Sequence, residues 1–306
     1  MAAYPRTLFF GSGSVALPAL ERLLDSGLVS VDAAVTAPPR PAGRKGRLTA
    51  TPVADLAARR GLSIRTPVSL RDESVQEALR ALGPELIVLA DYGRLIPAGV
   101  LEMPRHGALN IHPSLLPRHR GAVPVQAAIL AGDTSTGVTL MRMDEGLDTG
   151  PILAQHQVPL DGSELAPELE QRLARLGADL LVDRLPAWLD GSLPARTQPG
   201  EGATLTRLLR REDGRLDPAR PAAELERQVR AYQPWPGSFI EIGGERLKVW
   251  RAGVLEQPVR VDPGEIILAE GTLGLGTVEG TLRMDEVQPA GKRRMSGADY
   301  RRGKHL

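Results

Sequence analysis

The first half of the chain alternates short apolar runs with helical patterns, and this alternation restricts the possible folds more than any other feature. The apolar runs at 8–10, 29–35, 86–90 and 108–111 have the length and composition of strands buried in a sheet. The helical patterns between them lie at 15–26, 52–60 and 74–82, and each is followed by glycine. Such alternation predicts an α/β fold with a Rossmann-like, mostly parallel open sheet, whose ligand binds beyond the carboxyl ends of the strands.

The second half has a different texture. A long helix is predicted over 165–189, and the stretch 191–206 that follows is rich in Gly, Pro, Ser and Thr. Beyond it, one helix at 221–231 precedes short apolar runs separated by glycine or proline, which is typical of a small β-barrel of the oligonucleotide-binding (OB-like) kind. The sequence therefore predicts a Rossmann-like domain at 1–190, a linker at 191–206 and a C-terminal β-barrel domain at 207–306.

Composition excludes several classes of protein. The 306 residues include no cysteine, which excludes disulfides, a thiol nucleophile and cysteine-ligated zinc. Hydrophobic residues make up 42% and charged residues 25%, which is ordinary for a globular protein and excludes a mostly disordered chain. No apolar run approaches the ~20 residues that a membrane helix needs, and the first residues do not resemble a signal peptide. We therefore expect a cytoplasmic protein without a membrane partner.

Charge is segregated along the chain, although the net charge is only +1. The segment 36–53 carries four basic residues and no acid, and the tail 290–306 carries six basic residues against one acid. Residues 144–190, in contrast, carry ten acids against three arginines. This pattern favours a polyanionic partner that meets selected faces of the protein. The alternative is that the basic loop and tail are merely solvated.

A glycine-rich turn, GSGSVA at 11–16, lies between the first predicted strand and the first predicted helix. A G-x-G-x-x-A turn can hold a pyrophosphate on a helix N-terminus, with an acidic residue about 20 positions later binding the ribose. Asp32 has that spacing, but it lies inside the second predicted strand instead of at its end. A tight strand–helix turn needs glycine whatever it binds, so dinucleotide binding is the weaker interpretation.

The run HGALNIHPSLLPRHRG at 106–121 places two polar residues at the end of a predicted strand. Asn110 and His112 are two positions apart, so their side chains point to the same face of the sheet. They lie at the edge where an open α/β sheet binds its ligand. A polar pair on an otherwise apolar strand needs hydrogen-bond partners, and a satisfied core histidine remains the alternative interpretation.

Three histidines of this run, His106, His112 and His119, raise the question of zinc. Their spacings match neither a helix-borne nor a hairpin ligand set, and the sequence contains no H-E-x-x-H. We therefore expect no metal, and we expect His119, His156 and His305 to be surface or structural residues.

The loop MDEGLDTG at 143–150 brackets carboxylates with glycines. A carboxylate in such a loop can approach a histidine and form a charge pair suited to general acid–base catalysis. Turns also favour Asp and Gly for conformational reasons alone, and taken by itself this loop is better explained in that way.

These motifs occur in a fixed order: N-x-H at 110–112, SLLP-x-x-R-G at 114–121, TGVT at 136–139 and GLDTG at 146–150. In this combination they resemble the formyltransferase family that uses 10-formyltetrahydrofolate. Further stretches resemble the branch of that family that acts on methionyl-tRNA, and together the motifs cover nearly the whole chain. These stretches are PRPAGRKGRL at 39–48, PELIVLADYGRLIP at 84–97, AYQPWPGS at 231–238, LKVWRA at 247–252 and PAGKRRMSGADYRRG at 289–303.

The chain departs from the family pattern at three places. Pro39 stands where the family has Asp before the PAGR motif, Ser12 and Gly13 replace a threonine–proline pair, and Asp91 replaces the alanine of Ala-Tyr-Gly. Glycinamide ribonucleotide formyltransferases share the N-x-H and DTG core but lack the basic loop and the second domain. Sugar-amine formyltransferases share the core and the domain layout, but the basic loop and the tail of this chain point away from them.

The resemblance implies transfer of a formyl group from 10-formyltetrahydrofolate to the α-amino group of charged initiator methionyl-tRNA, for translation initiation. The amine would attack directly through a tetrahedral oxyanion, without a covalent formyl-enzyme and without a metal. Asn110 would donate a hydrogen bond to the oxyanion and protonated His112 would stabilise it, while Asp148 would hold the charge of His112 and relay the amine's proton. The family's folate contacts map onto Ser114, Leu115, Leu116 and Pro117, with Tyr92, Gly93, Leu95 and Ile96 walling the pterin.

The resemblance also implies how the tRNA is bound. Arg40, Arg44, Lys45 and Arg47 of the basic loop would bind phosphates, and Arg44 matches the family arginine that enters the acceptor stem. The C-terminal barrel and its basic tail would bind the rest of the tRNA, and we expect a monomer. Two other functions stay open: a sugar-nucleotide amine formyltransferase and, more remotely, a dinucleotide-dependent oxidoreductase.

Overall fold

The computed structural model describes residues 4–42, 46–255, 261–269 and 271–304. The chain forms two compact units that interleave along the sequence. The first comprises Met1–Pro124, Ser135–Val158 and Glu170–Thr206, and the second comprises Val125–Thr134, Pro159–Leu169 and Arg207–Leu306. Two short segments that precede residue 190 therefore belong to the second unit, so a single boundary at a linker does not describe the division.

Residues 6–189 contain strands and helices in alternation. The strands are β1 (Arg6–Phe10), β2 (Ser30–Val35), β3 (Arg40–Ala42), β4 (Arg47–Thr49), β5 (Ser63–Arg65), β6 (Leu86–Leu89), β7 (Ala108–His112), β8 (Arg120–Gly121), β9 (Ser135–Arg142) and β10 (Ile152–Pro159). The helices are α1 (Leu17–Asp25), α2 (Pro52–Arg59), α3 (Glu73–Arg80), α4 (Ala98–Leu101), α5 (Pro124–Ala131) and α6 (Ala166–Leu189). Seven of the strands form one sheet in the order β10–β9–β7–β6–β1–β2–β5.

Parallel pairing extends through this sheet from β7 to β5, and β9 pairs antiparallel with β7. The strands β6 and β7 are buried at every residue, as their apolar runs predict. The prediction of a Rossmann-like, mostly parallel open sheet is confirmed. Because β6 and β7 are parallel, the residues that follow them lie at the same edge of the sheet.

Local signals explain where the helices begin. The helix α2 starts after Thr51, whose side-chain oxygen accepts a 3.1 Å hydrogen bond from the backbone N–H of Ala54. Pro52 occupies the first helical position, where its missing N–H has no cost. The helix α6 extends over 24 residues and confirms the long helix predicted from the leucine spacing. Neither α6 nor another helix in the described ranges is long and apolar enough to span a membrane.

Residues 191–206, which composition predicts as a linker, belong instead to the first unit. Arg196 and Ile152 exchange two backbone hydrogen bonds of 2.8 and 2.7 Å. A further strand, β11 (Leu205–Thr206), pairs in parallel with β8. The high content of Gly, Pro, Ser and Thr thus belongs to an extended segment that backbone pairing fixes to this unit.

The C-terminal part of the second unit, from Arg207 onwards, contains an antiparallel sheet and the helices α7 and α8. Its strands are β12 (Ser238–Ile242), β13 (Glu245–Val254), β14 (Ile266–Ala269), β15 (Thr272–Gly276), β16 (Thr281–Pro289) and β17 (Met295–Ser296), and its helices are α7 (Ala222–Ala231) and α8 (Gly297–Lys304). The sheet has the order β12–β13–β16–β15–β14, with β17 paired to β16. Leu225 and Val229 of α7 and Tyr300 of α8 pack with strand residues into one apolar core. This curled half-barrel confirms the predicted barrel class.

Candidate active site

Asn110 and His112 lie on β7, between β6 and β9 in the seven-stranded sheet. Both residues are buried, with exposed fractions of 6% and 4%. Their spacing of two positions places them on one face of the strand, as the sequence predicts. His112 ends the strand, at the carboxyl edge of the parallel part of the sheet, where open α/β folds bind their ligands.

The ring of His112 has a partner at each nitrogen. Nε2 lies 2.9 Å from the backbone oxygen of His119, and Nδ1 lies 3.5 Å from Oδ2 of Asp148. A carbonyl oxygen only accepts hydrogen bonds, so Nε2 carries a hydrogen, and Nδ1 is the nitrogen that faces the carboxylate. The Asp148 carboxylate therefore lies beside an imidazole nitrogen, and such a pair can hold or move a proton.

Asp148 lies in the loop between β9 and β10. Its φ of 53° is in the left-handed region that residues other than glycine rarely occupy. Oδ2 accepts a 2.8 Å hydrogen bond from the backbone N–H of Gly121, and Nδ2 of Asn110 points to Oδ1 at 3.4 Å. Gly121 is needed there, because a Cβ would lie 2.5 Å from the backbone oxygen of Thr206. The structure thus brings Asn110, His112 and Asp148 together in one cluster.

Side chains from β9 and β10 hold the segment that follows β7. Thr139 Oγ1 donates a 2.7 Å hydrogen bond to the backbone oxygen of Ser114 and accepts one of 3.1 Å from the backbone N–H of Leu116. Gln155 Nε2 donates to the Leu116 oxygen and to Thr139 Oγ1, each at 2.9 Å. The segment 114–117, predicted to bind folate, is therefore fixed directly beside His112.

The residues after β6 divide between the core and the surface. The ring of Tyr92 packs edge-on against Phe10, with 5.3 Å between ring centroids, and Ile96 lies in the same apolar cluster. Leu95, in contrast, is 70% exposed. The Tyr92 ring is thus a core side chain. Four of the predicted folate contacts have accessible surface, namely Gly93, Leu95, Leu115 and Pro117.

Two of the predicted tRNA-binding residues lie on a β-hairpin. The strands β3 and β4 pair antiparallel, with Ala42 opposite Arg47. Opposite residues share a face of the hairpin, and so do Ala42 and Arg40, which are two positions apart. Arg40 and Arg47 therefore lie on one face, and both are exposed. Arg44 and Lys45 lie outside the described residues.

Two backbone amide groups of the glycine turn after β1 already have hydrogen-bond partners within the protein. The backbone N–H groups of Ser12 and Gly13 both donate to the backbone oxygen of Asp91, at 2.9 and 3.4 Å. Asp32 forms an ion pair of 2.6 Å with Nε of Arg6 instead of facing the turn. The geometry therefore gives no support to dinucleotide binding. In the ranges that the structure describes, no group of three His, Asp or Glu residues could hold a metal ion.

The carboxylate of Asp91 lies against this turn. A Cβ on Gly13 would come within 1.9 Å of its Oδ2. Burial of the carboxylate and, to a smaller extent, the negative charge of Glu170 raise the pKa of Asp91 from 3.8 to about 6. The residue as a whole is exposed, so water screens part of this electrostatic cost.

Replacing Asp91 with asparagine should therefore stabilise the protein at neutral and alkaline pH. The folded protein keeps this carboxyl protonated up to about pH 6, whereas the unfolded chain ionises it near 3.8. Its favourable contribution is complete below 3.8 and is lost as the pH rises through about 6. Asparagine also tolerates the left-handed φ of 46° at this position.

Thermal unfolding as a function of pH measures this effect. We expect Asp91→Asn to have a higher Tm than the parent at about pH 8, and the difference to shrink towards about pH 4. Asp183→Asn, which removes an exposed charge from α6, is the matched control. A difference in Tm that is the same at every pH would contradict the prediction.

Comparison with known proteins identifies the family. The family model described as formyl transferase matches residues 6–185, and the model described as formyl transferase, C-terminal domain, matches residues 208–305. The methionyl-tRNA formyltransferase of Myxococcus xanthus is 44% identical over 304 residues, which cover 99% of this chain and 96% of the relative. The chain belongs to the methionyl-tRNA formyltransferase family.

Solved structures agree with the fold of this methionyl-tRNA formyltransferase family member. An N-formyltransferase from Helicobacter canadensis, in complex with folinic acid and dTDP-3-aminofucose, aligns with a TM-score of 0.68 at 16% identity, over 92% of this chain and 99% of its own. A variant of HypX from Aquifex aeolicus aligns over the whole chain with a TM-score of 0.65 at 18% identity, and the chain spans only 48% of HypX. At such identities the likeness shows the fold alone.

Several site residues of this methionyl-tRNA formyltransferase family member were not found from the sequence. His119 contributes a backbone oxygen, which no side-chain motif signals. Thr139 lies in the TGVT motif, but its contact with the segment after β7 depends on the pairing of β7 with β9. Gln155 and Gln198 lie far along the chain from their partners, at separations of 39 residues for Leu116 and 50 for Asp148.

Proposed function

We propose that the chain transfers a formyl group from 10-formyltetrahydrofolate to the α-amino group of initiator methionyl-tRNA. The observation that carries the proposal is the cluster of Asn110, His112 and Asp148 at the ligand-binding edge of the sheet. The relative from Myxococcus xanthus, named for this activity, aligns over nearly the whole chain. The structural relative from Helicobacter canadensis is bound to a folate derivative, folinic acid, which supports a folate donor.

Asn110 stabilises the negative charge that develops on the formyl oxygen. The reaction forms a bond from the amine nitrogen to the formyl carbon, breaks the bond from that carbon to folate N10, and moves one proton from the amine to N10. Negative charge collects on the formyl oxygen as the amine attacks. Nδ2 of Asn110 carries two hydrogens, and its contact with Asp148 uses one of them. The second is available to the oxyanion.

His112 adds a positive charge near the oxyanion, and Asp148 accepts the proton that the amine loses. With both ring nitrogens protonated, His112 places a positive charge beside the oxyanion. Asp148 faces Nδ1 of His112 at 3.5 Å, so its carboxylate holds that charge in place and accepts the proton that the amine loses. The chain contains no cysteine and no G-x-S-x-G nucleophile motif, which favours direct attack over a covalent formyl-enzyme.

Transfer of a labelled formyl group tests the proposal. The acceptors are charged initiator methionyl-tRNA, uncharged initiator tRNA, elongator methionyl-tRNA and a nucleotide-linked amino sugar, each with 10-formyltetrahydrofolate as donor. We expect rapid transfer to the charged initiator only. Preferred transfer to the amino sugar would assign the other branch of the family, and no transfer to any amine would overturn formyl transfer itself.

Arg40 and Arg47 should bind RNA phosphates, because they share one exposed face of the β3–β4 hairpin. Arg40→Ala and Arg47→Ala should each raise the KM for tRNA several-fold. Each should also reduce the slope of log affinity against log salt by about one, since one fewer counterion is released. Folate affinity should not change.

Filter binding over a salt series, together with steady-state kinetics, measures both quantities. Arg59→Ala removes an exposed arginine of α2 and serves as the control. An unchanged salt slope in both hairpin variants would refute a phosphate contact, as would an equal loss of folate and tRNA affinity.

A further inference from the structure

Gln198 forms four hydrogen bonds beside Asp148, in the segment that composition predicts as a linker. Nε2 donates to the backbone oxygens of Asp148 and Gly150, at 2.9 and 2.7 Å. Oε1 accepts from Nε and Nη2 of Arg120, at 3.1 and 2.8 Å. We propose that Gln198 is a positioning residue, which holds the loop so that the Asp148 carboxylate faces His112. This inference rests on the function proposed above, in which Asp148 handles the proton.

Asp148 needs an external restraint because its backbone conformation is unfavourable by itself. A φ of 53° costs free energy for a residue with a Cβ, and such a conformation persists only where the surroundings impose it. Gln198 binds the carbonyl of Asp148 and the carbonyl two residues later, and so fixes both ends of this turn. If the turn relaxed, the direction of the Cα–Cβ bond would change and the carboxylate would move away from Nδ1 of His112.

The short strand β8 connects Gln198 to the same carboxylate by a second route. Its Arg120 side chain binds Gln198, and the backbone N–H of its Gly121 binds Oδ2 of Asp148. The oxygen of Arg120 accepts a 3.0 Å hydrogen bond from Oγ1 of Thr206, on the paired strand β11. The dipeptide Arg120–Gly121 therefore contacts Asp148 in two ways. Gly121 binds its carboxylate directly, and Arg120 binds Gln198, which in turn binds the backbone of Asp148.

The chemistry of this position calls for an amide. The guanidinium of Arg120 only donates, so Oε1 of Gln198 faces it and both hydrogens of Nε2 are left for the two carbonyl oxygens. A carboxylate would keep the bond to Arg120 but place a charged oxygen against those carbonyls. A leucine would remove all four bonds. With an exposed fraction of only 9% at Gln198, water cannot easily replace them.

Two substitutions, Gln198→Glu and Gln198→Leu, test the proposal in the full-length protein. Gln157→Glu and Gln157→Leu are the matched controls, because Gln157 is an exposed glutamine of β10 bonded to Ser135. The readouts are kcat and KM for both substrates, Tm, and the ring nitrogen signals of ¹⁵N-labelled histidines, with His112 assigned by loss of its signal in His112→Gln. A displaced active-site group typically costs about 10–100-fold in rate.

We expect kcat to fall about tenfold or more in both Gln198 variants, with each KM within about twofold of the parent. The activity of Gln198→Glu relative to the parent should rise at lower pH, because protonation gives the introduced carboxyl one hydrogen to donate. That of Gln198→Leu should not. The ring signals of His112 should shift in the Gln198 variants and stay in place in the Gln157 controls.

A folded Gln198 variant with parental kcat and unshifted His112 signals would overturn the proposal. So would a loss of activity that follows only Tm and protein yield. The NMR readout does not require turnover, so it decides about Gln198 even if the parent formylates no tRNA. That last result would count against the proposed function and not against the positioning of Asp148.

Discussion

Replacing Asp148 with asparagine should lower kcat for formyl transfer by about 10²-fold or more. The variant keeps the size of the side chain, and asparagine tolerates the φ of 53° found here. Its amide oxygen can still accept the hydrogen bond from the backbone N–H of Gly121. The substitution removes the negative charge 3.5 Å from Nδ1 of His112, and with it the group that accepts the amine's proton. It also places an NH2 group where Oδ1 accepted the hydrogen bond from Asn110.

Single-turnover transfer from preformed enzyme–folate complex measures this step apart from product release. Folate affinity, followed by fluorescence titration, should stay within about twofold of the parent, because the substitution removes no bulk. Glu145→Gln removes a charge from an exposed position of the same loop and should leave kcat unchanged. A small effect of Asp148→Asn, or an equal effect of Glu145→Gln, would remove Asp148 from the proton pathway.

The parts of the fold that the sequence predicted are those that local pattern determines. Buried strands such as β6 are apolar on both faces, and helices such as α2 begin at a capping residue and end before a glycine. The same logic placed Asn110 and His112 on one face at the ligand-binding edge, because strand geometry alone fixes that relation. No knowledge of distant contacts was needed for either.

Composition alone led to the interpretation of 191–206 as a linker, whereas the structure pairs this segment with the first unit through backbone hydrogen bonds. Gly, Pro, Ser and Thr are frequent in flexible linkers, but they also occur in extended segments that are fixed by backbone hydrogen bonds. A fixed segment differs from a linker in having backbone hydrogen-bond partners elsewhere in the chain. Here Arg196 pairs with Ile152, and β11 pairs with β8. A local pattern carries no information on such a partner, so Gln198 could not be recognised as part of the site.

The prediction that Tyr92 walls the pterin shows what a family resemblance leaves undetermined. The resemblance assigns a folate contact to Tyr92, but it does not say whether the side chain or the backbone makes this contact. In the structure the ring is buried against Phe10, and the neighbouring Leu95 is the exposed side chain. The direction of a side chain after the end of a strand depends on tertiary packing, which neither spacing nor a motif specifies.

Replacing Asn110 with alanine should lower kcat by about 10²–10³-fold, the usual cost of losing one donor to an oxyanion. Nδ2 of Asn110 is the side-chain amide beside Asp148, and its second hydrogen is the one assigned to the formyl oxygen. KM should change little, because this bond strengthens only as negative charge develops. Gln157→Ala truncates an exposed amide on β10 and is the control for a general effect of losing an amide.

The double variant Asn110→Ala/Asp148→Asn distinguishes a concerted cluster from two independent contributions. Independent groups would multiply their losses, whereas groups that act on one transition state are strongly non-additive. Nδ2 of Asn110 and Oδ1 of Asp148 are 3.4 Å apart, and both groups act on the same reacting centre. We therefore expect kcat of the double variant to be only a little lower than kcat of the less active single variant. If the reductions in kcat of the two single variants multiply in the double variant, Asn110 stabilises the oxyanion independently of Asp148 and His112.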